Sequence, residues 1–482
     1  MIHIRSIIRI LGFLWLILAA FMLIPFAISC FEKADTFYAF FTTILIMLLT
    51  GLASIVLTKK KETLKMNTKD GFIFVTFAWI SASAFGALPF VISYSIPSYT
   101  DAFFETMSGF TTTGASILTE IEGFPHSILF WRSLTHWLGG MGIVVLAVAL
   151  LPLLGIGGAQ LFKAESPGPT LDKIAPSIKD TAKILWKIYL FFTLAETVLL
   201  LFGGMNLFDA LTHTFGTLAT GGFSPKNSSV GAYNSAYIDV VITVFMVLAG
   251  FNFGLYYYVL LRKPGKILQN SEARAYISIF VVSTLIVAFS IKPLYGTFLN
   301  ALRYAGFQNA SILTTTGYAT ADFDKWPTLA KGVLFFLMFI GGCSGSTGGG
   351  IKVIRIITLA KQAITEIKYL IFPYGVFKVK INKEPVRKDF ILTVTGFFFL
   401  YIFILLGVTL VIAGGGHDLL TAFSGALVTV GNIGPGFAKI GPTQNYSFFS
   451  PLIKWVLSFA MMAGRLEIYT VLVLFHPRFW RS

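Results

Sequence analysis

Apolar residues in this chain gather into runs of about 20–25, the length at which a helix crosses the hydrocarbon layer of a bilayer. Ten such runs can be marked, at 7–29, 37–58, 70–93, 128–152, 182–203, 237–261, 275–292, 329–358, 389–413 and 451–475. They predict an all-α integral membrane protein with ten full crossings. The first run, from Ile7 to Ile28, is longer than the apolar core of a secretory signal and lacks a small-residue cleavage site, so it reads as a crossing.

The polar connections sort by charge. One side receives Arg5 and Arg9, the cluster Lys59, Lys60, Lys61, Lys65 and Lys69, then Lys163, Lys173, Lys179 and Lys183, Arg262 to Arg274, Lys352 to Lys388, and Arg478 and Arg481. The other receives few cations, among them Lys33, Lys226, Lys292, Lys325 and Lys439. Basic loops stay cytoplasmic, which predicts both termini inside. An even number of crossings agrees.

Composition sharpens this picture. Of 482 residues 55% are hydrophobic and 12% charged, with mean hydropathy +0.78. Soluble domains carry about 25% charged residues. The net charge of +15 would suggest nucleic acid in a soluble protein. Here the basic loops account for it, and no nucleic-acid partner is expected. Cys30 and Cys343 suggest no disulfide framework. His3, His126, His136, His213, His417 and His476 are scattered, no catalytic triad or pair is evident, and no insert could house an ATPase. An enzyme is not predicted.

Four outer connections hold a short helix-like segment followed by a Thr/Gly stretch: Asp101 to Gly114, Asp209 to Gly221, a third ending Phe307 to Gly317, and Asp418 to Gly431. Asp101 to Gly114 and Asp418 to Gly431 are each 13 positions, and Asp209 to Gly221 is 12. A unit of crossing, half-helix, Gly loop and crossing therefore recurs four times after an initial pair of crossings. The predicted segments are 1–69 for the initial pair, then 70–155, 156–265, 266–365 and 366–482 for the repeats. A half-helix too short to cross must return through non-helical backbone, which is tolerated at membrane depth only where it lines water or is buried in protein. Gly allows positive φ, and carbonyls from several such loops can replace the hydration shell of a cation. The candidate ligands are Thr112, Thr113 and Gly114; Thr220 and Gly221; Thr316 and Gly317; and Val430, Gly431 and Asn432. By spacing Gly431 is the fourth glycine, with Gly434 the alternative. The acids that open these segments read as helix caps.

Two features inside crossings are candidate controls. The Gly-rich stretch from Gly341 to Gly350, with Gly345, Ser346, Thr347, Gly348, Gly349 and Gly350 at its end, interrupts a span and predicts an intramembrane loop. It fails the phosphate-loop pattern because Ile351 separates Gly350 from Lys352. Arg465 lies mid-span, where a charge usually faces a polar cavity; it could block cations or hold the Gly-rich loop. The basic segments 352–388 and 163–187 offer a cytoplasmic docking face.

The Thr-x-Gly stretches look like degenerate copies of the K⁺-channel filter Thr-Val-Gly-Tyr-Gly. Four unequal copies in one chain after two extra spans resemble the Trk/Ktr/HKT superfamily of potassium transporters. Gly139-Gly-Met-Gly142 with the following Ala149-Leu-Leu-Pro152, the stretch Gly341 to Arg355, Asn432-Ile-Gly-Pro-Gly436 and Gly464-Arg-Leu-Glu467 resemble its TrkH/TrkG branch. That branch usually has Asn-Asn where this chain has Gly431-Asn432, and Gly431 is the Ktr-like choice. The resemblance covers the whole chain. It implies K⁺ uptake across the bacterial inner membrane, a homodimer with one pore per subunit, a gate at the Gly-rich loop, and a cytoplasmic nucleotide-binding TrkA-like ring as regulatory partner. K⁺ is the implied cargo, with Na⁺ and Rb⁺ as alternative ions and no organic cofactor. A Na⁺- or H⁺-coupled symporter, or a less selective monovalent-cation path, is the competing expectation.

Overall fold

The computed structural model describes residues 2–58, 67–142 and 178–481. Lys59, Lys60, Lys61, Lys65, Lys163, Lys173, Pro152 and the far end of the crossing predicted at 128–152 lie outside the described residues.

Among the described residues six helices are long and apolar enough to cross a membrane: Ile4–Glu32, Thr36–Leu57, Thr68–Ile92, Asp180–Phe202, Ser271–Tyr295 and Lys388–Gly414. The initial pair packs through small residues. A Cβ on Gly12 would lie 2.9 Å from the Gly51 carbonyl oxygen, so the two backbones meet where only glycine fits. The third helix starts on a capping box: Asn67 Oδ1 accepts from the Asp70 amide and Asp70 Oδ2 from the Asn67 amide, each at 2.9 Å.

Four shorter helices follow the remaining long ones: Tyr99–Phe110, Leu207–Leu218, Phe298–Leu313 and Leu419–Val430. Three have 12 residues, about 18 Å of helix, and Phe298–Leu313 has 16, about 24 Å, all short of a crossing. Their caps are Ser98, Asn206, Thr297 and Asp418, each accepting a backbone amide three residues on. Asp101 and Asp209 therefore sit one turn inside their helices, while Asp418 is itself a cap. These acids occupy two different helical positions.

Three predicted crossings are not continuous. The one expected at 237–261 is Ala236–Ala249 and Phe253–Val259, bent by 99°; the one expected at 451–475 is Pro451–Arg465 and Tyr469–Phe475, bent by 113°. The one expected at 329–358 ends as a helix at Leu337, passes through irregular backbone, and resumes as Val353–Ile371. The physical cause is crowding beneath the short helices. A Cβ on Gly139 would collide with the Phe110 carbonyl, one on Gly464 with the Val430 carbonyl, and one on Gly250 with Thr314. Asn252 then restarts a helix, its Oδ1 accepting from the Gly254 amide at 2.8 Å. A small antiparallel pairing, Lys380–Ile381 with Glu384–Pro385, closes the basic segment before Lys388.

Candidate functional site

The four short helices deliver four loops of one conformation. Each loop has positive φ at two residues separated by one: Thr112 and Gly114, Thr220 and Gly222, Thr315 and Gly317, Asn432 and Gly434. Left-handed backbone disfavours an L-residue by roughly 1–2 kcal/mol, and its fourfold recurrence at non-glycine positions marks a shape imposed by function. From cap to second left-handed residue is 16 positions for Ser98–Gly114, Asn206–Gly222 and Asp418–Gly434, and 20 for Thr297–Gly317, whose helix is a turn longer.

This register differs at two loops from the spacing read in the sequence. Gly222, not Gly221, and Gly434, not Gly431, occupy the position of Gly114 and Gly317. Spacing counted from acids equated Asp418, a cap, with Asp101, three residues inside its helix. Val430 and Gly431 lie lower: Val430 ends its helix, and Gly431 has φ −80°.

The loops close a ring. A Cβ on Gly114 would strike the Gly221 carbonyl oxygen, one on Gly222 that of Thr316, one on Gly317 that of Ile433, and one on Gly434 that of Thr113. Each glycine thus lies against the residue before the next glycine, in the order one, two, three, four and back to one. A cavity of about 160 Å³ on one face of the ring touches all four glycines. Two ion pairs tie neighbouring repeats on that side, Lys454 Nζ to Asp101 at 2.6 Å and Arg303 Nε to Asp239 at 2.7 Å. Among the described residues Asp418 makes no such bridge, and hydrogen bonds from the Thr421 hydroxyl and amide hold its carboxyl below the usual range.

Beneath the ring lies the Gly-rich stretch. The Gly349 amide donates to Thr315 Oγ1 at 2.7 Å, and Asn432 Nδ2 donates to Thr113 Oγ1 and to the Met461 carbonyl, each at 2.9 Å. Arg465 binds carbonyls: Nη1 donates to Thr347 at 2.6 Å, and Nη2 to Gly139 at 2.7 Å and Gly140 at 3.0 Å. Its guanidinium thus joins the Gly-rich loop to the end of His126–Gly140. Lys352 Nζ donates to the Gly348 carbonyl. Glu272 Oε1 accepts from the Ser344 amide at 2.7 Å and the Ile354 amide at 3.1 Å, pinning both ends of the loop to one carboxylate. Glu467 pairs with Arg355. A cavity of about 140 Å³ is lined by Gly345 to Gly350, Lys352, Gly464 and Arg465.

Gly345, Ser346, Thr347, Gly348, Gly349, Gly350 and Arg465 therefore meet at one place. Sequence reasoning missed Glu272, Lys352 and the buried pair Glu105–Arg132. Arg132 and Lys352 lie inside the apolar runs 128–152 and 329–358, which was the signal available for them.

Comparison with known proteins places this arrangement. A family model described as TrkH, cation transport protein, matches residues 36–303 and 300–482. This chain belongs to the TrkH family. It is 39% identical over 487 residues to the Trk system potassium uptake protein TrkH of Escherichia coli K12, with 100% of both chains covered. It is 41% identical to the protein of the same name from Halomonas elongata, with 99% of each covered. The crystal structure of the potassium transporter TrkH from Vibrio parahaemolyticus superposes with a TM-score of 0.88 at 38% identity, covering 100% of both chains. The TrkH family is one of cation transporters, so this chain is a membrane transport protein and not an enzyme.

Proposed function

We propose that this chain takes up K⁺ through the ring of four loops, with carbonyls of the residues around Gly114, Gly222, Gly317 and Gly434 as the selectivity filter. The observation that carries this reading is the closed ring, each glycine against the next loop's carbonyl, with a cavity on each face. Short helices ending at the ring present partial negative charge to it, which favours a cation. Relatives of 39% and 41% identity are named potassium uptake proteins, which supports K⁺ as the cargo.

In this reading the Gly-rich loop and Arg465 form the gate. A guanidinium fixed under the ring raises the electrostatic cost of a passing cation, and its bonds to Thr347, Gly139 and Gly140 hold the loop in place. Opening requires the loop and Arg465 to move together. The basic face around 352–388 docks a cytoplasmic TrkA-like regulatory subunit, both termini lie in the cytoplasm, the protein works as a homodimer in the inner membrane, and segments 70–155, 156–265, 266–365 and 366–482 are the four pore units.

The test is Rb⁺ uptake into liposomes holding the purified protein, with K⁺, Na⁺ and Li⁺ as competitors. Block by K⁺ far better than by Na⁺ is expected. Equal competition would leave an unselective cation path, and uptake that requires a Na⁺ or H⁺ gradient would replace the channel-like reading with symport.

A further inference from the structure

The four loops share a second recurrence outside the ring. Nine positions before the ring glycines stand Glu105, His213, Gln308 and Gly425, each within its short helix. In three repeats this buried side chain reaches a hydroxyl just beyond the glycine of its own loop. Glu105 Oε1 accepts from Ser116 Oγ at 2.9 Å, His213 Nε2 meets Ser224 Oγ at 3.0 Å, and Gln308 Nε2 donates to Thr320 Oγ1 at 3.3 Å. In the fourth, where Gly425 has no side chain, neighbouring Ser424 bonds both the amide and the carbonyl of Phe437, at 3.2 and 3.3 Å. Every short helix is thereby tied to the outward leg of the loop it feeds.

The first tie carries more than the others. Glu105 Oε2 also accepts from the Ile117 amide at 2.9 Å, and Oε1 accepts from Arg132 Nε at 2.6 Å. Arg132 in turn donates through Nη1 to the Ser224 carbonyl at 3.0 Å and stacks 3.6 Å from the Phe223 ring centroid. The side chains of Glu105 and Arg132 are 0% and 3% exposed. One buried ion pair therefore grips the outward legs of loops one and two at once.

We propose that the residue nine positions before the ring glycine in loops one to three, and Ser424 in loop four, is a strut that keeps its loop from relaxing around an ion, and that Glu105, locked by Arg132, is the strut that sets how sharply the ring separates K⁺ from Na⁺. This rests on the ring being the ion path. Discrimination by site size and discrimination by carbonyl field strength both need loops that do not collapse onto the smaller ion. A neutral hydrogen bond yields at modest cost. A charge-assisted pair yields less, because separating it leaves an unpaired charge in a low-dielectric interior. Glu105 is thus a positioning residue that touches no ion.

The test compares Ser116→Ala, Ser116→Thr and Glu105→Gln in the Rb⁺ uptake assay, scoring the ratio of K⁺ to Na⁺ competition separately from maximal uptake, on protein that elutes as a single species. Small displacements of positioned groups carry large functional penalties, so the ratio should fall about threefold in Ser116→Ala and about tenfold in Glu105→Gln. Ser116→Thr, which keeps the hydroxyl, should restore it. A wild-type ratio in Ser116→Ala and in Glu105→Gln would overturn the strut. Should Glu105→Gln fail to fold, the Ser116 pair decides alone. Wild-type protein with no K⁺ preference would instead sink the reading of the ring, and the strut with it.

Discussion

Single residues decide the ring by their backbone before their side chains. At Gly434, with φ +93°, a methyl group would lie 2.6 Å from the Thr113 carbonyl oxygen, inside the ring. At Gly431 the backbone is right-handed, and a methyl would press mainly on its own helix and Ile433. Gly434→Ala should therefore abolish most Rb⁺ uptake while Gly431→Ala retains a measurable share; the reverse order would restore Gly431 as the filter glycine. Below the ring, Arg465→Ala should raise uptake in the absence of any regulatory partner, and an unchanged or lower rate in well-expressed protein would remove Arg465 from the gate. The Thr-x-Gly signature of loops one and three was legible in the sequence because each has a single glycine after its threonines. Loops two and four hid their glycines, one behind a Gly-Gly pair and the other behind Asn432-Ile433, and only the cap register separates the candidates.

At the scale of elements, the informative events are the places where helices stop. Of the ten runs read from hydropathy, six appear as single helices long enough to cross and two more as bent pairs, since a break of three residues does not lower the apolar content of a 20-residue window. The signals for the breaks were small and polar: Gly250 with Asn252, the Gly341–Gly350 stretch, and Gly464 beside Arg465. Nothing in the apolar pattern announced Glu272, whose carboxylate bonds amides at both ends of the Gly-rich loop. Glu272→Ala leaves those two buried amides without that acceptor, a penalty of about 1–3 kcal/mol each on the loop's present position. The expected outcome is higher basal uptake and faster proteolysis near Gly341–Gly350. Wild-type values of both would make Glu272 an ordinary cap-region acid.

For the whole molecule, one chain must close a ring whose first and last members are more than 300 residues apart. Lys454–Asp101 joins the fourth unit to the first, and Arg303–Asp239 joins the third to the second. Removing one partner of a buried ion pair typically costs about 3–5 kcal/mol. Asp239, 3% exposed, should approach that range in Asp239→Asn, whereas Asp101, 27% exposed, should lose less in Asp101→Asn. Thermal melting of the detergent-solubilised protein should show both variants lowered by a few degrees, Asp239→Asn more, with nearly additive shifts in the double variant because the sites are independent. Equal or non-additive shifts would mean that the ring does not rest on separate ties. A ring assembled from four unequal stretches of one polypeptide has a further consequence for how such a protein can change. In an assembly of four identical subunits, any substitution is made four times at once, and its effect on ion preference is multiplied accordingly. Here a single codon alters one corner of four. With the ring as the proposed ion path, ion preference can drift or be engineered in quarter steps, and a corner that is tolerated alone can be kept while the next is tried.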